Sequence, residues 1–295
     1  MSGADLPPFL YLGGLRLELV PTDAETALAV SPLRESWAPF FEHRPFDAQI
    51  VLSLTKTHAA PGDLDLPSQR GFKPVFKYGR TDLAFGLDAP RTHAIAAVDG
   101  SLGAIEAAVE LTLQGALESR GGAMVHAMAG EDGRGCVFLV PGRSGQGKST
   151  LSRAPGWARV FADEAVIVRL VDHQPRVFGT PFWSEGRSRS FEPSDGVLDL
   201  LALPVKASFA ELRPCAPADA AAALLACVMS HESGPRARAS VFTWSCDVAL
   251  AVRCARLHFP KEGSWLSGVQ TKPESWAHFS GTPSSGPSPS SSSGI

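Results

Sequence analysis

The apolar positions of the 295-residue chain divide it into three regions. Residues 1 to about 100 read as strands and turns. FLYLGGLRLELV alternates in part, DAQIVLSLT is rich in β-branched residues, and KPVFKYGRTDLAFGL predicts a hairpin. Then SLGAIEAAVELTLQGALESRGG predicts a helix, because Leu102, Ile105, Ala108, Val109, Leu111 and Leu113 mix three- and four-residue spacings. Ser101 suits its N-cap, and Gly121 with Gly122 suits its end. From Ala123 onward the pattern shortens. AMVHAMAG and RGCVFLV flank the turn EDG and predict a second hairpin. Residues 148–154 fit a helix of about two turns that Pro155 and Gly156 stop. ARVFADEAVIVRLV reads as one or two strands, and QPRVFGTPFW as another. PADAAAALLACVM at 217–229 predicts a helix with Pro217 in its first turn, whereas VALAVRCARLHFP fits helix and strand equally. The last stretch, GTPSSGPSPSSSSGI, has the composition of a disordered tail.

Chemistry concentrates between the second hairpin and the helix after it. Gly142, Arg143, Ser144, Gly145, Gln146, Gly147, Lys148 and Ser149 fit G-x-x-x-x-G-K-[ST], a P-loop, at every defined position. Glycines at 145 and 147 let backbone N–H groups turn inward toward phosphate oxygens. Lys148 can reach the β- and γ-phosphates, and the Ser149 hydroxyl can ligate Mg²⁺. Thr150 closes the nucleotide-binding stretch and is expected to pack or cap, while Arg143 reads as a solvated loop residue. The motif follows a predicted strand and opens a predicted helix, the context it requires.

Asp163 lies 15 residues beyond Lys148, beside Glu164, inside the apolar frame VFADEAVIV. An acidic pair in such a frame is costly unless it meets a cation or partner. Two readings stand: a site facing the loop, or a turn joining two strands. The first is the more economical, because the pair lies so close to the loop.

Composition narrows the partners. Hydrophobic residues make up 44% and charged residues 19%, enough apolar material for a sizeable core. A formal charge of −3 gives no basic footprint for nucleic acid. The five cysteines are odd in number and lack a C-x-x-C pair, which suits free thiols in a reducing compartment. No signal peptide and no membrane-spanning run is evident, so the expectation is a cytoplasmic protein that avoids both membrane and nucleic acid.

The ordered set His126, GRSGQGKST, ADE at 162–164 and GTPFW at 179–183 resembles the HPr kinase/phosphorylase-related proteins over roughly residues 120 to 230. The resemblance implies an α/β fold shared with phosphoenolpyruvate carboxykinases, with a mixed, largely antiparallel sheet around the P-loop. Pattern, composition and resemblance together divide the chain into a β-rich N-terminal region with its helix (1–119), an HPr kinase-like catalytic domain (120–277) and a disordered tail (278–295). The resemblance implies a kinase using ATP and Mg²⁺. Asp163 would act on the attacking hydroxyl or on metal, with Glu164 serving metal beside Ser149 and His126 standing near the phosphates. His126 fits an ordinary half-buried strand histidine equally well. Arg187 and Arg189 suit phosphate contact or plain solvation, and Phe182 and Trp183 suit a pocket or the core.

The match departs from the HPr-specific enzymes: Thr150 replaces their usual Glu, and their phosphorylase signature is missing. The expected acceptor is therefore a serine of another peptide or protein. A non-catalytic nucleotide-binding regulator is the alternative, and a decarboxylating carboxykinase is weaker. The family's hexamers raise a homo-oligomer, with no interface marked in the sequence.

Overall fold

Both expected hairpins form, and the sheets built on them meet across a shared core. The computed structural model describes residues 9–57, 66, 71–182, 193–230, 234–263, 266 and 269. Arg187, Arg189, Trp183 and the segment 278–295 lie outside these residues.

The first half of the chain supplies strands β1 (Phe9–Leu12), β2 (Leu15–Pro21), β3 (Ala48–Lys56), β4 (Pro74–Arg80), β5 (Leu83–Asp88) and β6 (His93–Val98), with helices α1 (Ala24–Ser36) and α2 (Leu102–Glu118). The strands form one mixed sheet in the order β1-β2-β3-β6-β5-β4, in which β2, β3 and β6 run parallel. Helix α1 corrects the reading of this region as strands and turns alone. Asp23 caps it, its Oδ1 accepting from Thr26 N at 2.7 Å. Its apolar stripe is narrow, with Leu28 exposed and Pro32 inside the helix, so periodicity does not reveal it. Ser101 caps α2 as expected, its Oγ accepting from Ala104 N at 3.3 Å. Gly121 and Gly122 do not close that helix: it ends at Glu118, and Gly122 already begins the next strand.

The second half supplies β7 (Gly122–Asp132), β8 (Val137–Pro141), α3 (Lys148–Arg153), β9 (Trp157–Ala162), β10 (Ala165–Val171), β11 (Gln174–Phe178), β12 (Asp195–Val197), β13 (Leu200–Lys206), β14 (Glu211–Pro214), α4 (Pro217–Leu225), β15 (Val228–Met229), α5 (Pro235–Ala251) and β16 (Arg253–Phe259). The main strand order is β12-β11-β10-β7-β8-β13-β16-β14, with β9 and β15 also on β7. Strands β8, β13 and β16 are parallel neighbours, and the other pairings are antiparallel. The described chain is thus mixed α/β, with two mixed sheets and five α-helices. No helix in it is long and apolar enough to cross a membrane.

Three local expectations change. The turn between β7 and β8 is not EDG, because both acids belong to β7. The chain reverses after Asp132, whose buried Oδ1 accepts from Arg134 N and Cys136 N at 2.9 Å each. The predicted helix at 217–229 stops at Leu225, and Val228 and Met229 pair with β7 instead. The ambiguous VALAVRCARLHFP is both things: α5 ends at Ala251, and β16 starts at Arg253.

One hydrophobic cluster carries residues of the first sheet, α1 and α2 together with Met124, Ala165 and Ile167 of the second, so a common core crosses the 119/120 boundary. A polar clamp reinforces the junction. Arg169 on β10, nearly fully buried, donates to Gly13 O at 2.8 Å and to Asp47 Oδ2 at 2.6 Å. Removing a buried cation strands the groups it served. Arg169→Ala is expected to lower stability by about 2–4 kcal/mol in denaturant unfolding. Asp47→Ala, whose carboxylate is largely solvated, should cost about 1 kcal/mol or less.

Candidate functional site: a cleft at the ends of three parallel strands

The glycine-rich loop is fixed by what enters and leaves it. Strand β8 is buried throughout and delivers the chain to Gly142, whose N–H donates to His126 O at 3.1 Å. Within the loop, the Gln146 side chain folds back, its Oε1 accepting from Arg143 N at 2.7 Å. Gly147 has a φ of 99°, and a Cβ there would lie 2.8 Å from the Phe259 ring. Both the backbone sign and the space demand glycine. α3 then begins at Lys148 and runs for only 6 residues. The Trp157 indole N–H donates to Leu151 O at 2.7 Å and binds the end of α3 to the next strand.

A cleft of about 450 Å³ opens over this loop. Of the nine loop residues singled out from sequence, Ser144, Gly145, Gly147, Lys148, Ser149 and Thr150 line it. Thr150 therefore faces the cleft, where packing or capping was expected. Gly142, Arg143 and Gln146 shape the loop without lining the space, and Arg143 is exposed as expected.

The acids separate. Strands β9 and β10 run along the same edge of β7 in one register, Ala162 opposite Ala129 and Ala165 opposite His126. Between them Ala127 N donates to Glu164 O at 3.2 Å, so Asp163 and Glu164 interrupt one strand line rather than turn a hairpin. Asp163 is 1% exposed and does not line the cleft. Its Oδ2 lies 3.4 Å from Ser152 Oγ on α3. Glu164 does line the cleft. An open acid and a buried one stand where the sequence offered an undifferentiated pair.

His126 joins Glu164 to the loop. Its Nε2 lies 2.9 Å from both Lys148 Nζ and Glu164 Oε1. That nitrogen accepts from the lysine in one tautomer and donates to the carboxylate in the other. Burial pushes the Lys148 ammonium below its ordinary range, and Glu164, Cys227 and Asp163 oppose that shift. The described part of the GTPFW segment packs inside the fold. Thr180 is buried and its hydroxyl donates to Ala165 O, while Phe182 meets Trp37 edge to face at 5.2 Å.

Four cleft residues escaped the sequence reading: Lys206, Ala207, Phe259 and Lys261. Lys206 and Phe259 end β13 and β16 and stand opposite each other in the parallel ladder. Lone lysines at strand ends carry no periodic or motif signal, and only the strand order brings them to the loop.

For magnesium, the described residues hold no group of three or more His, Cys, Asp or Glu able to ligate an ion. Ser149 and Glu164 do line the same cleft. That donor set fits Mg²⁺, which takes one or two protein ligands and fills its shell with phosphates and water. An ion held there would need phosphate or water oxygens for the rest of its shell. The five cysteines are free thiols, and burial pushes Cys136 up to about 11 and Cys254 up to about 12, which keeps both protonated and inert. No protein-family model matches the chain, and no curated protein matches it.

Gly147→Ala tests the loop. It should cost about 1–3 kcal/mol through backbone strain, read as a lowered midpoint of thermal unfolding. Gly133→Ala, at a position with open space and no positive φ, should leave the midpoint nearly unchanged.

Proposed function

We propose that this chain is an ATP- and Mg²⁺-dependent kinase of the HPr kinase-like type, working in the cytoplasm on a hydroxyl, most economically a serine of a peptide or protein. The observation that carries this reading is that Lys148, Ser149 and Glu164 line one cleft around a glycine-rich loop. The motif supplies phosphate-directed N–H groups and a lysine, and the cleft adds an acid open to a second substrate. The free thiols support a reducing compartment.

In the reaction, the acceptor oxygen bonds to the γ-phosphorus as the bond from that phosphorus to the β–γ bridging oxygen breaks. ADP leaves with that electron pair. The hydroxyl proton passes to a carboxylate, because a neutral seryl hydroxyl is a weak nucleophile. We assign that role to Glu164 in place of Asp163, since only Glu164 opens to the cleft. Asp163 then acts from behind the loop, orienting α3 through Ser152. Lys148 binds the phosphates and His126 holds Lys148 and Glu164 in register. Ser149 would hold the metal, with phosphate oxygens and water as its other ligands, and the ion when bound would neutralise charge on the phosphates.

Burial of Asp163, the acid expected to face the acceptor, favours a second reading, a regulator that binds nucleotide without transfer. Incubation with γ-labelled ATP and a cell extract separates the two. The kinase reading expects a labelled acceptor, a roughly 100-fold or greater loss of labelling in Glu164→Gln, and ATP affinity retained within a few-fold. ATP binding with no labelled product would favour the regulator. Equal labelling by Glu164→Gln and wild type would remove Glu164 as the base.

A further inference from the structure

The loop's own lysine is not the only cation in the cleft. Strands β8, β13 and β16 run parallel side by side, with Leu200 opposite both Phe138 and Arg253. Their carboxyl ends therefore open on the same side. The glycine-rich loop leaves the end of β8, Lys206 is the last residue of β13, and Lys261 follows β16 by two residues. In open sheets, ligands bind in the crevice outside the carboxyl ends of parallel strands. Here each of the three strands contributes one lysine to that crevice: Lys148, Lys206 and Lys261, against Glu164 as the single acid. Such an excess of positive charge in a walled cleft focuses an attractive field on an anion with several charges.

Lys206 is held in a telling way. Its Nζ donates to Gly145 O at 2.8 Å, and its Cε would lie 3.8 Å from a Cβ on Gly147. Ala207 N donates to Phe259 O at 3.0 Å and fixes the backbone at that point. Among the described residues its hydrogen-bond partner is this neutral carbonyl. An ammonium gains more from an anionic oxygen than from a carbonyl. A phosphate chain lying along the loop would offer such oxygens to the same ammonium.

We propose that Lys206 is a phosphate-positioning residue, which exchanges Gly145 O for a phosphate oxygen of a bound nucleoside polyphosphate, with Lys261 adding charge from the neighbouring strand. The inference rests on the nucleotide-binding reading above and adds to it. It supplies a positive group from outside the motif, on a rigid strand end.

The alternative for Lys206 is a brace that merely holds Gly145. Two variants separate the roles. Lys206→Gln keeps an N–H donor for Gly145 O but removes the charge, whereas Lys206→Arg keeps the charge. Both sit at an exposed position, so folding should survive, checked by an unchanged unfolding midpoint. Calorimetric titration with Mg²⁺–ATP, ADP and AMP is the readout. The proposal expects Lys206→Gln to weaken ATP roughly tenfold or more, AMP little, and Lys206→Arg to stay within a few-fold of wild type. ATP affinity in Lys206→Gln equal to wild type, with Lys148→Ala still abolishing binding, would overturn the positioning role and leave the nucleotide-binding reading intact. Wild type that binds none of the three nucleotides would overturn both.

Discussion

Strand β7 is the constraint on which the rest of the structure depends. Its backbone is engaged along both edges, by β8 and β15 on one side and by β9 and β10 on the other. A buried strand must satisfy its N–H and C=O groups, and a slip of one residue would turn every side chain to the wrong face. That requirement fixes three things together: where β8 releases the glycine-rich loop, where the β9–β10 line breaks at Asp163 and Glu164, and where His126 stands between them. The contact of His126 Nε2 with Lys148 and Glu164 follows from hydrogen-bond register, with no need for long-range design in the side chains.

The cleft then follows from strand direction. Where β8, β13 and β16 run parallel, their ends gather on one side, and residues separated by more than a hundred positions meet around one space. Cations at these ends face the loop, while Asp163 remains behind it under α3. Burial disfavours the charge on Lys148, and Glu164 and Asp163 restore part of it.

Local features were legible in the sequence and non-local ones were not. The glycine-rich loop, both hairpins, the Ser101 cap and the stop of α3 each depend on a few consecutive residues, and each formed. Helix α1 was hidden because Pro32 and the exposed Leu28 blur its stripe. The reversal after Asp132 was misplaced because its carboxylate, rather than a turn dipeptide, organises the bend. Most tellingly, a dipeptide such as Asp163 and Glu164 carries no record of which acid will face solvent. Lys206 and Lys261 were silent for a related reason: their meaning lies in the strand order, and strand order is a property of the whole sheet.

The central claim is that the cleft over the loop receives a polyphosphate. A crystal structure with a non-hydrolysable ATP analogue and Mg²⁺ tests it most directly. The account predicts phosphate density in the cleft, with oxygens about 3 Å from Lys148 Nζ and from backbone N–H groups of the loop. Density for the analogue elsewhere, with Lys148 still on His126 and the cleft holding only solvent, would contradict it.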